Sequence, residues 1–249
     1  VAMALLVALT GIVGWKTRWT VKNVLRTTAA EGGLLGVRVA RPTPDATLEI
    51  AAPGPVLSAD RYHPPGGPDA ARAALLLVHG NRLGGAGAPL YRLLARKLAD
   101  AGCLVLAPSL RGFGSSAPAP DGLPVPAADL RGDVGRALRT LDRLAPPGIP
   151  RSVAGHSLGA MLALWAPGEP GLRAVAIEPG RRLRERVWGE PGDDLDDFVS
   201  KLSRNLRGGV KDRQAVRALY RELDADWPLA SHLAPALILQ GAGIAAPDR

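Results

Sequence analysis

Cysteine occurs once in these 249 residues, methionine twice, phenylalanine twice and tyrosine three times, and each scarcity removes a class of chemistry. A lone Cys103 excludes an intrachain disulfide and any metal site built from cysteines. It lies in an apolar run and reads as a core residue. Aromatic residues make up 4% of the chain, and the net charge of +8 comes from arginines scattered along its length. A nucleic-acid surface would gather basic residues and interleave them with aromatics, so nucleic acid is not expected as a partner. Carboxylates crowd at Asp193, Asp194, Asp196 and Asp197 without the spacing of a calcium loop. They suit the first turn of a helix, where the dipole favours negative charge, and neither a metal nor a cofactor is expected. Internal repeats and long low-complexity tracts are also lacking.

Long apolar runs are short of membrane length too. Residues 1–15 carry no charge, but as a helix they would reach roughly 22 Å, against about 30 Å of hydrocarbon. Lys16, Arg18, Lys22 and Arg26 follow them, whereas a secretory signal places its positive charges first. Charges in that order keep the following domain in the cytoplasm. We therefore expect residues 1–30 to form an N-terminal apolar helix that anchors the chain to a membrane through residues 1–15. The alternative is an apolar helix packed on a cytoplasmic domain.

What the sequence has in quantity is alternation. With 47% hydrophobic residues, the chain can bury one large core. Short alternating runs at Ala46–Ala51 and Val56–Tyr62 predict two opening strands. The continuous apolar run Ala73–Gly80 predicts a buried parallel strand. Leu90, Leu93, Leu94 and Leu98 are spaced for a helix over Pro89–Ala101, closed by Gly102. Strands at Cys103–Ala107, Arg151–Ala154, Ala174–Ile177 and Pro235–Gln240 follow. They alternate with helices at Asp129–Leu144 and Leu158–Trp165 and with a charged, helix-rich stretch over 181–227. Strand alternating with helix implies a parallel, doubly wound sheet in one domain over 31–249.

Within this frame one serine stands between two glycines, Gly155-His156-Ser157-Leu158-Gly159. Nine serines among 30 glycines would give such a match in roughly one chain in eight by chance. Its setting, at the end of a strand and the start of an Ala/Leu-rich helix, is that of a nucleophile elbow. A bend so sharp leaves no room for side chains two residues to either side of the serine, which accounts for both glycines. The helix after it would turn free N–H groups toward the serine, where an oxyanion develops.

Three motifs in order, His79-Gly80, Arg111-Gly-Phe-Gly-Ser115 and Gly155-His-Ser-Leu-Gly159, together resemble the α/β-hydrolase family, in particular its esterase, lipase and serine aminopeptidase-like members. The resemblance covers roughly Leu48–Gly241. It implies the α/β-hydrolase fold, with a mostly parallel, doubly wound sheet and a helical cap or lid around 181–227. It further implies a serine hydrolase that cleaves a carboxylic ester or related acyl bond of a small-molecule substrate. Ser157 would be the nucleophile, and the N–H groups of Leu158 and Asn81 the oxyanion hole. His79, Gly80, Gly155, His156 and Gly159 would be structural neighbours, and Arg111–Ser115 a structural turn beside the site. The serine sets the chain apart from the aspartate-dependent branches of the fold.

The family orders its catalytic residues as Ser, then Asp or Glu, then His. Of the four histidines, His63, His79, His156 and His232, none follows the last predicted strand, and the family's acid position falls on Ile244. Asp248 takes the acid role if the loop is four residues longer, and Glu178 is the alternative. The expectation is a C-terminal end that is incomplete, lacking one strand, one helix and the histidine loop, with an uncovered sheet edge at Ala236–Gln240. The competing reading is a catalytically silent scaffold or fragment of the same fold that acts only in binding.

Overall fold

The computed structural model describes residues 42–51, 54–119, 125–166, 172–177, 213–225 and 236–239. Asp248, Glu178, His232, the acidic cluster at 193–197 and residues 1–30 lie outside the described residues. Seven strands form one sheet: β1 (Ala46–Ile50), β2 (Leu57–Tyr62), β3 (Ala73–Val78), β4 (Cys103–Pro108), β5 (Arg151–His156), β6 (Leu172–Ile177) and β7 (Ala236–Leu239). Their order across the sheet is β1-β2-β4-β3-β5-β6-β7. β2 pairs antiparallel with both β1 and β4, and every pair from β4 through β7 is parallel. This is the mostly parallel sheet that the alternating pattern implies.

The α-helices among the described residues are α1 (Pro89–Asp100), α2 (Ala127–Leu144), α3 (Leu158–Leu164) and α4 (Arg213–Ala225). α1 opens on Pro89, whose missing N–H costs nothing in a first turn. After α1 the chain reverses through Gly102, at φ +99°, a conformation that glycine adopts without strain. Asp129 and Arg143 place opposite charges in the first and last turns of α2, where its dipole favours each.

Side chains alternate between the two faces of the strands and thereby divide the core. Ala74, Leu76 and Val78 of β3, Leu104 and Leu106 of β4 and Val153 of β5 pack with α2, α3 and α4. On the other face, Leu75, Leu77, Val105, Ala154, Val175 and Ile177 pack with Ala95, Leu98 and Ala99 of α1. β3 and β4 are buried along their whole length, as their unbroken apolar sequence requires.

The connections travel in opposite senses. From β3 the chain crosses one face through α1 and moves to β4. From β5 it crosses the other face through α3 and moves to β6. Adjacent strands whose chains depart in opposite directions leave a crevice at their carboxyl ends, and here it opens beyond β3 and β5. Val78 pairs with Gly155 at its floor.

Of the stretch 181–227, the described part is α4, whose Val216, Leu219, Tyr220 and Leu223 are buried in the core shared with α2. No helix among the described residues is long and apolar enough to cross a membrane. β7 stands at the end of the sheet as described.

Candidate active site at the carboxyl edge of β3 and β5

Ser157 is the N-cap of α3, with φ 54° and ψ −117°, and is the one non-glycine residue at positive φ among those described. Such a conformation costs an L-residue about 1–3 kcal/mol and persists only where its surroundings enforce it. They do so on three sides. The Ser157 N–H donates to the Ile177 carbonyl at 2.9 Å, which ties the bend to the end of β6. A Cβ on Gly155 would stand 2.6 Å from the Ala160 nitrogen and closer still to the Gly159 carbonyl. A Cβ on Gly159 would stand 2.5 Å from the His79 carbonyl oxygen and closer still to that of Val78. The two glycines thus let α3 start immediately against its own strand and against the end of β3. Ser157 is half-buried, and so within reach of solvent.

The first turn of a helix leaves its N–H groups without intrahelical acceptors, which puts the Leu158 N–H beside Ser157 with no helical partner. Across the crevice, Asn81 follows the turn after β3. Its N–H has no acceptor among the described residues. Its side chain is buried, and its Oδ1 has no donor there either.

His79 is fully buried and serves the scaffold. The Leu110 N–H donates to its Nε2 at 3.0 Å, so the ring proton sits on Nδ1 and is donated to the Gly80 carbonyl at 2.6 Å. Burial pushes its pKa down to about 4 despite the bond to Gly80, which acts the other way. Both ring nitrogens are therefore engaged, and the ring stays neutral at pH 7. It meets Phe113 edge-on, with centroids 5.2 Å apart. The Arg111–Ser115 turn carrying Phe113 is held in turn by Asp133 of α2. Arg111 donates to the Asp133 carboxylate from Nε at 3.0 and 3.1 Å and from its terminal nitrogen at 2.7 Å. Arg136 reaches the same carboxylate at 2.8 Å, and Asp133 is fully buried between them. Bonding to Asp133 raises the pKa of Arg111 further.

Tyr91 joins the two sides of the crevice. The Gly80 N–H donates to its hydroxyl at 2.7 Å, and the same oxygen lies 3.1 Å from Nδ1 of His156. Sequence reasoning missed it, because the stripe Leu90, Leu93, Leu94 and Leu98 treats position 91 as an outer face. In the structure Leu93 and Leu94 are half-buried, and the inward face is Leu90, Tyr91, Ala95, Leu98 and Ala99.

The sheet thus brings together Ser157, Leu158, Gly155, Gly159, His156, His79, Gly80 and Asn81. His63 is carried elsewhere. It follows β2, which runs against β4 and delivers it to the edge opposite the elbow. Among the described residues no group of three or more His, Cys, Asp or Glu could hold a metal ion.

No curated protein matches the sequence. Among solved structures, the chain is similar to a monoglyceride lipase from Saccharomyces cerevisiae (TM-score 0.50, 15% identity, 68% of this chain and 55% of that one). It is also similar to an acylaminoacyl peptidase from Pyrococcus horikoshii (TM-score 0.51, 15% identity, 78% of this chain and 31% of that one). A probable hydrolytic enzyme from Pseudomonas aeruginosa aligns with a TM-score of 0.49 at 22% identity, over 81% of this chain and 74% of that one. The chain therefore spans only about half of the lipase and a third of the peptidase. At such identities the likeness is one of fold. The sequence pattern of the alpha/beta hydrolase family matches residues 75–248, which include the His79-Gly80 turn and the Ser157 elbow. With that match over most of its length, this chain belongs to the alpha/beta hydrolase family.

Proposed function

We propose that the protein is a serine hydrolase that cleaves a carboxylic ester or related acyl bond through an acyl-enzyme on Ser157. The observation that carries this reading is the strained Ser157 backbone, held at the mouth of the crevice by close contacts that only glycine permits on both sides. Attack by Oγ on the acyl carbonyl would form the Ser157 ester bond and drive charge onto the carbonyl oxygen, while the Oγ proton passes by way of a general base to the departing alcohol oxygen. The Leu158 and Asn81 N–H groups are the donors proposed to receive that charge before the alcohol departs, and water then releases the acid. Asp248 is proposed as the acid of the triad, with Glu178 as the alternative. Residues 181–227 are proposed to form the cap over the pocket, with α4 as its foot on α2.

A second reading, a scaffold of the same fold that binds an acyl ligand without turnover, is favoured by one observation. Among the described histidines, His79 has both nitrogens engaged, Nδ1 of His156 faces Tyr91, and His63 is on the far edge. A fluorophosphonate probe and a p-nitrophenyl ester decide between the two. Labelling at Ser157 and turnover that vanish together in Ser157→Ala support the hydrolase. Turnover that survives Ser157→Ala would falsify it, and ester binding with neither labelling nor turnover would establish the scaffold.

For residues 1–15 the proposal is an anchor that holds the catalytic domain on the cytoplasmic side of a membrane. The full chain should stay with membranes through a high-salt wash, and release into the supernatant would remove the anchor.

A further inference from the structure

We infer that Tyr91 is a positioning residue that sets the spacing of the two halves of the oxyanion hole and fixes the tautomer of His156. This inference rests on the reading of Ser157 as an acyl-transfer nucleophile. A backbone N–H can only donate, so the Tyr91 oxygen accepts from Gly80 at 2.7 Å. The hydroxyl keeps one proton to give. Among the described residues its one remaining partner is Nδ1 of His156 at 3.1 Å. Tyr91 is 1% exposed, so no water takes that place cheaply. The hydroxyl therefore donates to Nδ1, and His156 carries its proton on Nε2.

Position in the chain gives this short relay its consequence. Gly80 immediately precedes Asn81, and His156 immediately precedes Ser157 and lies two residues before Leu158. One oxygen atom thus bridges the backbone unit before one oxyanion donor and the side chain next to the other. The bridge is tight: a Cβ on Gly80 would stand 2.9 Å from both the Tyr91 hydroxyl and the His156 carbonyl oxygen. The two proposed donors sit on loops that leave opposite faces of the sheet, and the helix that carries Tyr91 belongs to only one of them. Without the hydroxyl, the buried Gly80 N–H would lose its partner and Nδ1 of the half-buried His156 would lose the bond to Tyr91, and the turn and the elbow would be free to separate.

Tyr91→Phe removes that single oxygen. In the full chain we expect kcat for a p-nitrophenyl ester to fall about tenfold or more, because sub-ångström misplacement of donors weakens transition-state binding selectively. KM should stay within twofold, and circular dichroism should be unchanged. Nitrogen-15 spectra of histidine-labelled protein provide a readout that a packing role would not move. Wild type should show His156 as the Nε2–H tautomer, and Tyr91→Phe a mixture of tautomers. Wild-type His156 carrying its proton on Nδ1 would overturn the inference without recourse to any variant. So would an unchanged kcat in Tyr91→Phe while Ser157→Ala is inactive. Failure of the hydrolase reading looks different: turnover would persist in Ser157→Ala, and the wild-type tautomer would then judge the Tyr91 link alone.

Discussion

Gly159→Ala tests the packing that creates the elbow, because its cost can be worked from two backbone atoms. The added Cβ would stand 2.5 Å from the His79 carbonyl oxygen and nearer still to that of Val78. Ordinary contact is about 3.4 Å or more, so α3 must withdraw from β3 by about 1 Å. Neither obstacle can rotate aside as a side chain would. Val78 ends a strand bonded on both sides, and the turn at His79 is fixed by the bonds of its ring to Leu110 and Gly80. Overpacking in a rigid core costs about 1–3 kcal/mol, and we place this substitution at about 3 kcal/mol. For a chain of this size that is a fall in Tm of roughly 6–12 °C. Gly132→Ala is the control. Gly132 lies exposed in α2 with nothing within 4 Å of its would-be Cβ, and alanine there should stabilise by about 0.5–1 kcal/mol. Urea unfolding followed by far-ultraviolet circular dichroism measures both. A Gly159→Ala chain within about 0.5 kcal/mol of wild type would refute the steric account of the elbow.

Asp133→Ala takes from the buried Arg136 the carboxylate it shares with Arg111, while Arg111 keeps Asp129 at 3.0 Å, and should destabilise by about 3 kcal/mol in the same urea assay; a loss below about 1 kcal/mol would mean that water and Asp129 already compensate the two guanidinium groups. His79 makes stability depend on pH: with its folded pKa at about 4 against about 6.5 unfolded, the unfolded chain takes up a proton that the folded one refuses. Its contribution is complete above pH 6.5 and shrinks as pH falls, by about 3 kcal/mol at pH 4, and a urea midpoint that stays flat between pH 7 and 5 would contradict this. Ser157→Gly should relieve the strain at φ 54° and leave the chain about 1 kcal/mol more stable than Ser157→Ala in thermal melts, with both variants inactive toward esters; equal melting temperatures would show that the bend is unstrained.

The parts of the fold governed by local pattern were readable from the sequence. The unbroken apolar runs of β3 and β4 announce strands buried on both faces. Pro89, Gly102 and the Pro146-Pro147 pair bracket α1 and α2 within a residue or two. The last strand of the elbow reads two residues short, because Gly155-His156 looks like the start of a turn. In the structure both residues pair with β6, Gly155 opposite Ala176 and His156 opposite Ile177, and the bend is confined to Ser157. What was not readable depends on partners distant in sequence. Tyr91 looks like an interruption in a leucine stripe until Gly80 and His156 supply its hydrogen bonds. Asp133 looks like one acid among many on an amphipathic helix, and its burial follows from Arg111, 22 residues earlier in the chain. The local sequence of neither residue records these partners.

The opposite departures of the chain from β3 and β5 also bear on how such a molecule can change. The floor of the crevice is built of main-chain groups: the Val78 and Gly155 pairing, the N–H of Leu158 and the turn at Gly80 and Asn81. Substituting a side chain cannot delete a backbone N–H, so this floor is insulated from most mutations. The connections that rise from it lie on separate faces and do not share a path. Either can lengthen, shorten or be rebuilt without forcing the other to adjust, and the walls of the crevice can diverge while its base stays the same.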